Sequence, residues 1–277
     1  MAHLIHPTAI IDPSAILADD VSIGPYSIIG ARVQIGAKSS IGPHVIIEED
    51  TRMGERCQLA PGAVIGGLPQ DHGFGGERSG VWIGNDVVIR ECVTINRATG
   101  EGNTTQVGNE CMIMAYSHLA HNCVLGERVV LANNVQLAGY VELGDDAFIG
   151  GTCVVHQFVK IGRLTIMGGF TGTRQDLPPF AMTEGRPATV RGINSIGLKR
   201  RGFGMQERSR LKRAFYHLFF SHQNIADACD ALRQEFSDQP DPNIEELLSF
   251  VQSAKRGIRK PGRQVETDEP VTLSGVN

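Results

Sequence analysis

Aromatic side chains are scarce in this sequence, and their scarcity limits how its core can be built. Only 6% of the 277 residues are Phe, Trp or Tyr, with a single Trp, although 41% are apolar. A chain of this length and apolar content can bury a large core, which excludes general disorder. The core must therefore be filled mainly by aliphatic side chains.

Other absences narrow the class of protein. No run of eighteen apolar residues occurs, and the opening residues MAHLIHPTAI lack the basic and apolar segments of a secretory signal. A net charge of −4 gives no sign of a nucleic-acid binder. Because no Gly-rich phosphate loop is present, we expect no nucleotide cofactor. These features favour a soluble cytoplasmic protein without stable membrane insertion or a nucleic-acid partner.

The six cysteines include no CxxC pair, so neither a zinc site nor a disulfide framework is predicted. Four of them occupy the same place in the repeat described below, where a small side chain packs inside: Cys57, Cys111, Cys123 and Cys153. We therefore interpret them as packing residues and expect no metal.

What the sequence does contain is a repeat of six residues. Every sixth residue from Ile5 to Ile65 is aliphatic, and the same phase resumes at Ile83 and again from Val107 to Met167. The next residue is usually Gly or Ala, and the fourth residue after the aliphatic one is small. A coil with three six-residue sides explains this period, which neither a helix nor a single strand does. Each coil then takes 18 residues, and parallel strands stack about 4.8 Å apart.

The phase of the repeat also predicts the domain organisation. It predicts an all-β solenoid over residues 1–190, with two extruded loops at 67–82 and 96–106, where Gly and polar residues interrupt the frame. Beyond residue 190 the apolar spacing becomes helical.

A small α-helical domain is therefore predicted over residues 191–259. Its helices are expected near 205–220, 224–236 and 242–254, the last two capped by Asn224 and Asp241. Residues 260–277 show no periodicity and are expected to form a mobile tail.

One corner of the solenoid carries a polar column. Adding 18 residues places Gly139 over His121 and Gln157 over Gly139, with His118 and His156 close by. The adjacent column holds Asn122, Tyr140 and Phe158. Such a cluster of imidazoles leaves three chemistries open: a metal site like that of zinc-dependent β-helix carbonic anhydrases, nucleophilic catalysis and general-base catalysis.

The surrounding residues favour general-base catalysis. The hexads place no acidic or Cys ligand beside these histidines, and no outward Ser or Cys lies in register with His121. A neutral imidazole can remove a hydroxyl proton, while the N–H of Gly139, which has no side chain in the way, stabilises an oxyanion.

Specific segments resemble a known family. The repeat is similar to the left-handed parallel β-helix of hexapeptide acyltransferases, and the left-handed sense is taken from that resemblance. The segments HLAHNC, NNVQLAG, VVHQF, QDLPPF, GLKRRGF and PQDHGFGGE resemble the cytoplasmic acyl-[acyl-carrier-protein]–UDP-N-acetylglucosamine O-acyltransferases, which begin lipid A synthesis. The resemblance implies transfer of a 3-hydroxyacyl group from acyl carrier protein to the glucosamine 3-hydroxyl of UDP-N-acetylglucosamine. It also implies a homotrimer with active sites between neighbouring β-helices.

The resemblance further implies a role for individual residues. His121 would be the general base, Gly139 would supply the oxyanion N–H, and Gly169 would end the acyl-chain groove as a ruler. Substrate contacts are implied for Gln70, Asp71, His118, His156 and Gln157. Asn194, Arg200 and Arg201 would face the nucleotide or the pantetheine side of the site.

Three residues depart from the family pattern. Asn122 replaces an Asp that orients the catalytic imidazole in better-known members, although an amide oxygen still accepts a hydrogen bond and Asn122 stays in the predicted catalytic group. Tyr140 stands where relatives have a further His, and Gly73 stands where many have Lys. The predicted catalytic centre is intact, and the departures affect the positioning of the substrates.

A basic stretch over residues 191–213 is interpreted either as a solvated helix face or as a docking patch for the acidic acyl carrier protein. Alternative functions also remain: the N-acyltransferase of the same pathway, an acetyl-coenzyme A-dependent acetyltransferase, or a non-catalytic β-helix. The N-acyltransferase normally carries an N-terminal uridine-binding domain, whereas the hexads here start at Ile5. Non-catalytic surfaces tend to show uniform rows of Thr or similar residues, whereas the outward columns of this sequence are irregular.

Overall fold

The hexads form a three-sided coil in the computed structural model, which describes residues 4–260. Short strands stack into three sheets, one on each side of the coil, and every pairing is parallel except the last. Residues 18 apart are neighbours on successive coils, as in the pairing of Val130 with Phe148. The predicted coil length is therefore confirmed.

The three sheets are named here as the first, second and third face, in the order in which the chain visits them. The first face contains Leu4–Ile5, Ser22–Ile23, Ser40–Ile41, Gln58–Leu59, Val88–Ile89, Met112–Ile113, Val130–Leu131, Phe148–Ile149, Ile166–Met167, Ala181–Glu184 and Thr189–Ile193. The second face contains Ile10–Ile11, Ile28–Ile29, Ile46–Ile47, Val64–Gly67, Thr94–Asn96, His118–Leu119, Gln136–Leu137, Val154–Val155 and Gly172–Thr173. The third face contains Ile16–Leu17, Gln34–Ile35, Thr51–Met53, Gly80–Ile83, Thr104–Val107, Val124–Leu125, Glu142–Leu143 and Lys160–Ile161.

The aliphatic residue of each hexad points into the coil. All of them from Ile23 to Met167 are buried, and burying each such side chain is worth about 1.5–3 kcal/mol. The four hexad cysteines are also buried, and burial raises the pKa of Cys111 to about 11 and that of Cys123 to about 12. These thiols therefore stay protonated and serve the packing, as predicted.

Two positions near each corner of the coil meet different steric requirements. The third residue after each aliphatic one usually has a positive φ and is rarely Gly; Asn122, at 59°, and Tyr140, at 60°, are examples. The glycine directly after the aliphatic residue meets the next coil instead. A Cβ on Gly36 would lie 2.4 Å from the carbonyl carbon of Gly54. Close approach between coils therefore requires glycine at position 36, directly after the aliphatic residue. The left-handed backbone conformation at the corner is adopted by other residues.

Both extruded loops are shorter than the phase of the repeat predicts. Strand Gly80–Ile83 pairs with Thr104–Val107 over four residues, so the ends of the predicted loops 67–82 and 96–106 belong to the third face. The segments without strand structure are 68–79 and 97–103. The difference arises because backbone pairing continues two residues beyond the usual two-residue side.

A hairpin joins the coil to the helices. Ala181–Glu184 pairs antiparallel with Thr189–Ile193, so the predicted boundary at residue 190 falls inside a strand. The helical segments are Ser195–Arg200, Met205–Phe215, the π-helical turn Tyr216–Phe220, Ile225–Glu235 and Pro242–Ser253. The first was not predicted, because six residues are too few for a helical period.

The predicted caps are confirmed, since the side chains of Asn224 and Asp241 accept hydrogen bonds from backbone N–H groups in the first turns of their helices. The helices pack on one another and on Leu164 and Phe180 of the last coil. No helix within residues 4–260 is both long and apolar enough to span a bilayer. The predicted mobile tail, 260–277, lies outside the described residues apart from Lys260.

Candidate active site

The polar column predicted from the register lies at the corner between the second and third faces. The N–H of Tyr140 donates to the carbonyl of His121, and the N–H of Phe158 donates to that of Gly139, each at 3.0 Å. The rings of Tyr140 and Phe158 stack with centroids 4.8 Å apart. Both predicted columns are therefore confirmed.

His121 lies against the backbone of Gly139. A Cβ built on Gly139 would lie 2.6 Å from both Cε1 and Nε2 of the imidazole, closer than any real Cβ contact. Because Gly139 does not have a positive φ, space for the ring is what requires glycine here. Its N–H makes no hydrogen bond within residues 4–260 and is free to meet a ligand oxygen.

Asn122 contacts the other side of the imidazole. Its Oδ1 lies 2.9 Å from Nδ1 of His121, so the amide is within hydrogen-bond distance of that ring nitrogen. The Tyr140 ring meets the imidazole edge-on, with centroids 5.3 Å apart and planes at 90°. His121 is only 7% exposed, and Nε2 is the ring nitrogen without a hydrogen bond among the described residues.

The extruded segment 68–79 brings a carboxylate to that nitrogen. Asp71 Oδ2 lies 3.8 Å from Nε2 of His121, while Asp71 Oδ1 accepts a 2.9 Å hydrogen bond from the N–H of Gly73. Gly73 therefore closes a tight turn around Asp71. Gln70, the preceding residue, is exposed beside it. Because 3.8 Å exceeds a hydrogen bond, Nε2 keeps its lone pair available.

His118 lies on the second face, on the strand preceding His121. Its Nδ1 is 2.7 Å from the hydroxyl of Thr94. Burial, and secondarily the neighbouring His121, lowers the pKa of His118 below its usual value, so this imidazole is neutral at neutral pH. A neutral, hydrogen-bonded ring suits a positioning role.

His156 and Gln157 lie two coils further along. The carbonyl of Gln157 accepts from Nδ1 of His156 at 3.2 Å and from Nη2 of Arg256 at 2.9 Å. The Gln157 side chain is exposed at the corner.

Three predicted residues are not brought to His121 within one chain. Asn194 caps helix Ser195–Arg200, accepting from the N–H of Gly197 and donating to the carbonyl of Leu164. Arg201 pairs with Asp146, and Arg200 is exposed beside it. This cluster lies at the corner between the third and first faces, away from the column of His121.

Gly169 lies at the remaining corner, between the first and second faces. It follows Gly151 by one coil, and the N–H of Phe170 donates to the Gly151 carbonyl at 2.9 Å. A Cβ on Gly169 would lie 3.5 Å from that carbonyl oxygen, an ordinary contact. The corner is open, with the second face between it and His121.

Sequence reasoning missed the threonines that hold these side chains. Thr94 contacts His118, Thr105 accepts the Asn122 N–H, and Thr99 contacts the Asn122 amide. Thr99 lies in the irregular segment 97–103, where residue spacing does not predict which side chains are in contact. The only indication of its role in the sequence was that extruded loops often carry functional residues. Among the described residues, no group of three or more His, Cys, Asp or Glu could hold a metal ion.

Comparison with known proteins identifies the family. Residues 176–259 match the second domain of the family described as UDP-N-acetylglucosamine O-acyltransferase, and residues 32–67 and 104–139 match bacterial transferase hexapeptide repeats. An acyl-[acyl-carrier-protein]–UDP-N-acetylglucosamine O-acyltransferase from Xylella fastidiosa is 46% identical over 93% of this chain and 98% of its own length. The chain belongs to this O-acyltransferase family.

Solved structures agree with this membership. A UDP-N-acetylglucosamine acyltransferase from Campylobacter jejuni is 38% identical, with a TM-score of 0.87 over 93% of this chain and 100% of its own. The enzyme from Francisella novicida is 32% identical, with a TM-score of 0.89 over 94% and 95% of the two chains. The predicted fold class, a left-handed parallel β-helix of hexapeptide repeats followed by a small α-helical domain, is confirmed.

Proposed function

We propose that this protein transfers a 3-hydroxyacyl group from acyl carrier protein to the glucosamine 3-hydroxyl of UDP-N-acetylglucosamine, the first step of lipid A synthesis, in the cytoplasm. Family membership supports the reaction class, and one contact supports the mechanism. The imidazole of His121 lies against a glycine whose N–H has no partner among the described residues. A base and an oxyanion donor are what acyl transfer to a hydroxyl needs.

The geometry suggests the following steps. Nε2 of His121 accepts the proton of the sugar 3-hydroxyl as its oxygen attacks the thioester carbonyl carbon. The oxygen of the tetrahedral intermediate accepts a hydrogen bond from the N–H of Gly139. When the intermediate collapses, the C–S bond breaks, and the carrier-protein sulfur takes the proton back from His121. Asp71, near Nε2, stabilises the imidazolium that forms between these steps.

Part of the basic stretch is available to an acidic carrier protein. Four of its arginines are paired with acidic side chains: Arg191, Arg201, Arg210 and Arg213. The cations without an ion pair within residues 4–260 are Lys199, Arg200, Arg208 and Lys212. This smaller patch supports docking of acyl carrier protein on the helical domain, chiefly by steering the encounter.

A donor and acceptor competition tests the proposed function. Purified protein would receive 3-hydroxyacyl carrier protein or acetyl-coenzyme A, with UDP-N-acetylglucosamine or UDP-3-O-acylglucosamine as acceptor. We expect product only from the carrier-protein donor with UDP-N-acetylglucosamine, detected by mass spectrometry. Transfer to the amine of UDP-3-O-acylglucosamine would indicate the N-acyltransferase instead, acetylation a coenzyme A-dependent enzyme, and no product with any pair a non-catalytic protein.

A homotrimer would complete the site. Asn194, Arg200 and Arg201 lie away from His121 in one chain, so a neighbouring subunit is needed to bring them to the same substrate. The second face also exposes an apolar row that includes Ile10, 65% exposed, and Ile28, 41% exposed. Apolar rows of this kind mark subunit contacts.

Light scattering tests the trimer. We expect a mass three times the 29.9 kDa of the chain. Replacing Ile10 and Ile28 with Lys is expected to dissociate the assembly and abolish transfer, because charges cannot be buried in an apolar contact. A fully active monomer at assay concentration would show that the site does not depend on a second subunit.

The open corner at Gly169 predicts a preference for long acyl chains. Gly169→Met is expected to shift the preferred donor to a shorter chain, since excluding two methylenes at about 0.8 kcal/mol each changes selectivity by more than tenfold. Gly169→Ala, whose Cβ makes only an ordinary contact, is the matched control and should keep the parent preference. Competition among 3-hydroxyacyl carrier proteins measures both. An unchanged preference in Gly169→Met would remove the ruler assignment.

A further inference from the structure

The amide of Asn122 is bound on two sides by the backbone of Thr99, in extruded segment 97–103. Its Oδ1 accepts from the N–H of Thr99 at 2.9 Å, and its Nδ2 donates to the carbonyl of Thr99 at 3.0 Å. A backbone N–H only donates and a carbonyl only accepts, so the amide satisfies both bonds in one orientation. That orientation turns the oxygen of Asn122 toward His121.

The orientation of the amide decides which imidazole nitrogen carries the proton. An amide oxygen accepts only, so at 2.9 Å it requires Nδ1 of His121 to be the donor. In the neutral ring the proton then lies on Nδ1, and Nε2 keeps a free lone pair. A mobile amide, with its NH2 group toward His121, would favour the opposite tautomer, in which Nε2 cannot act as a base.

Two hydroxyl groups complete the same network. Thr99 Oγ1 lies 2.9 Å from Asn122 Oδ1 and 2.9 Å from the hydroxyl of Tyr140. Because the amide oxygen only accepts, Thr99 donates to it, and Tyr140 donates in turn to Thr99. Thr99 is 8% exposed, and Tyr140 also meets the His121 ring edge-on. Hydroxyl groups linked in this way at a largely buried amide hold their partners in one geometry.

The extruded segment is itself held in place. Asn103 Nδ2 donates to the Thr99 carbonyl at 2.9 Å, and the N–H of Gly100 donates to Glu77 Oε1 at 2.7 Å. Since Glu77 belongs to the other extruded segment, 68–79, the two segments support each other beside the site.

We propose that Thr99 is a positioning residue for acyl transfer, acting with Tyr140 through the Asn122 amide to hold His121 in the tautomer with a free Nε2. This inference rests on the proposed function of His121 as the base. It assigns a role to the extruded segment 97–103, and it gives Tyr140 a role through its hydrogen bond to Thr99.

Nitrogen-15 spectra of histidine-labelled protein without substrate test the tautomer directly. We expect His121 in the wild type to carry its proton on Nδ1. In Asn122→Gly, which tolerates the positive φ but removes the amide, we expect a mixture of tautomers. A wild-type His121 with its proton on Nε2 would overturn the inference. This readout needs no turnover, so it distinguishes a failure of the inference from a failure of the proposed function.

Transfer kinetics test the hydroxyl groups. Thr99→Val is expected to lower kcat about fivefold, the typical effect of one net hydrogen bond, with KM for UDP-N-acetylglucosamine unchanged. Thr99→Ser should restore kcat because it keeps the hydroxyl. Tyr140→Phe should lower kcat as much as Thr99→Val does. The double variant should have a kcat little lower than either single variant, because both hydroxyl groups act in one chain of hydrogen bonds.

Thr104→Val, at the first residue of the strand that follows segment 97–103 and without a hydrogen bond to Asn122, is the control and should keep the wild-type kcat. If Thr99→Val matched this control in both kcat and tautomer, Thr99 would have no positioning role. Should Thr99→Val fail to assemble, Tyr140→Phe carries the same test, and a wild-type kcat and tautomer in that variant would overturn the inference.

Discussion

Replacement of His121 by alanine is expected to lower kcat by about 10²–10⁴-fold, the usual contribution of a positioned general base. The variant loses the imidazole that lies against Gly139, whose N–H has no hydrogen-bond partner within residues 4–260. Assembly should be unchanged, because His121 occupies an outward corner while the interior positions hold the coil together. Steady-state transfer assays, with light scattering on the same samples, measure both quantities.

A second corner histidine provides the control. His44 is exposed at the corner between the first and second faces, where it stacks on Tyr26 and contacts none of the proposed catalytic residues. We expect His44→Asn, which suits the positive φ at that position, to keep wild-type kcat. Near-normal turnover of a trimeric His121→Ala variant would show that His121 is not the base.

Replacement of Gly139 by alanine is expected to reduce kcat by about 10²-fold or more. The new Cβ would lie 2.6 Å from Cε1 and Nε2 of His121, so the imidazole must move. A displacement of about 1 Å in a catalytic group can cost 10²-fold in rate. The Gly139→Ala chain should still fold, because the collision is with a side chain and the backbone conformation suits alanine.

Gly204→Ala is the matched control for this substitution. Its Cβ would approach only the flexible carboxylate end of Glu207, at 3.3 Å, in the helical domain. We expect kcat and assembly close to wild type. If Gly139→Ala also kept its kcat, neither the contact with His121 nor the exact placement of that N–H would matter for transfer.

The fold could be predicted from the sequence because the period of a repeat determines its geometry. The aliphatic residue at every sixth position fixes which side chains point inward, and the 18-residue coil fixes which residues are neighbours. His121, Gly139 and Gln157 could thus be placed in one column without any family knowledge. The left-handed sense could not be obtained in this way, because periodicity is the same for either hand.

The remaining parts of the site depend on segments outside the repeat. Asp71 and Thr99 lie in the extruded segments, whose conformation follows from hydrogen bonds such as the one between Glu77 and Gly100, and no spacing rule predicts such bonds. The ion pair between Arg201 and Asp146 could not be predicted from the sequence either, since ion pairs at a corner depend on how the helical domain packs. Registers were therefore predictable, whereas loop contacts and ion pairs were not.

The most direct test of the proposed mechanism is a crystal structure with the acylated nucleotide sugar bound. We expect the ester oxygen on the sugar 3-position within hydrogen-bond distance of Nε2 of His121, and the acyl carbonyl oxygen at the N–H of Gly139. Asn194 or Arg200 of a neighbouring subunit should approach the nucleotide. A product bound elsewhere, or with its ester remote from His121 in every subunit, would contradict the mechanism proposed here.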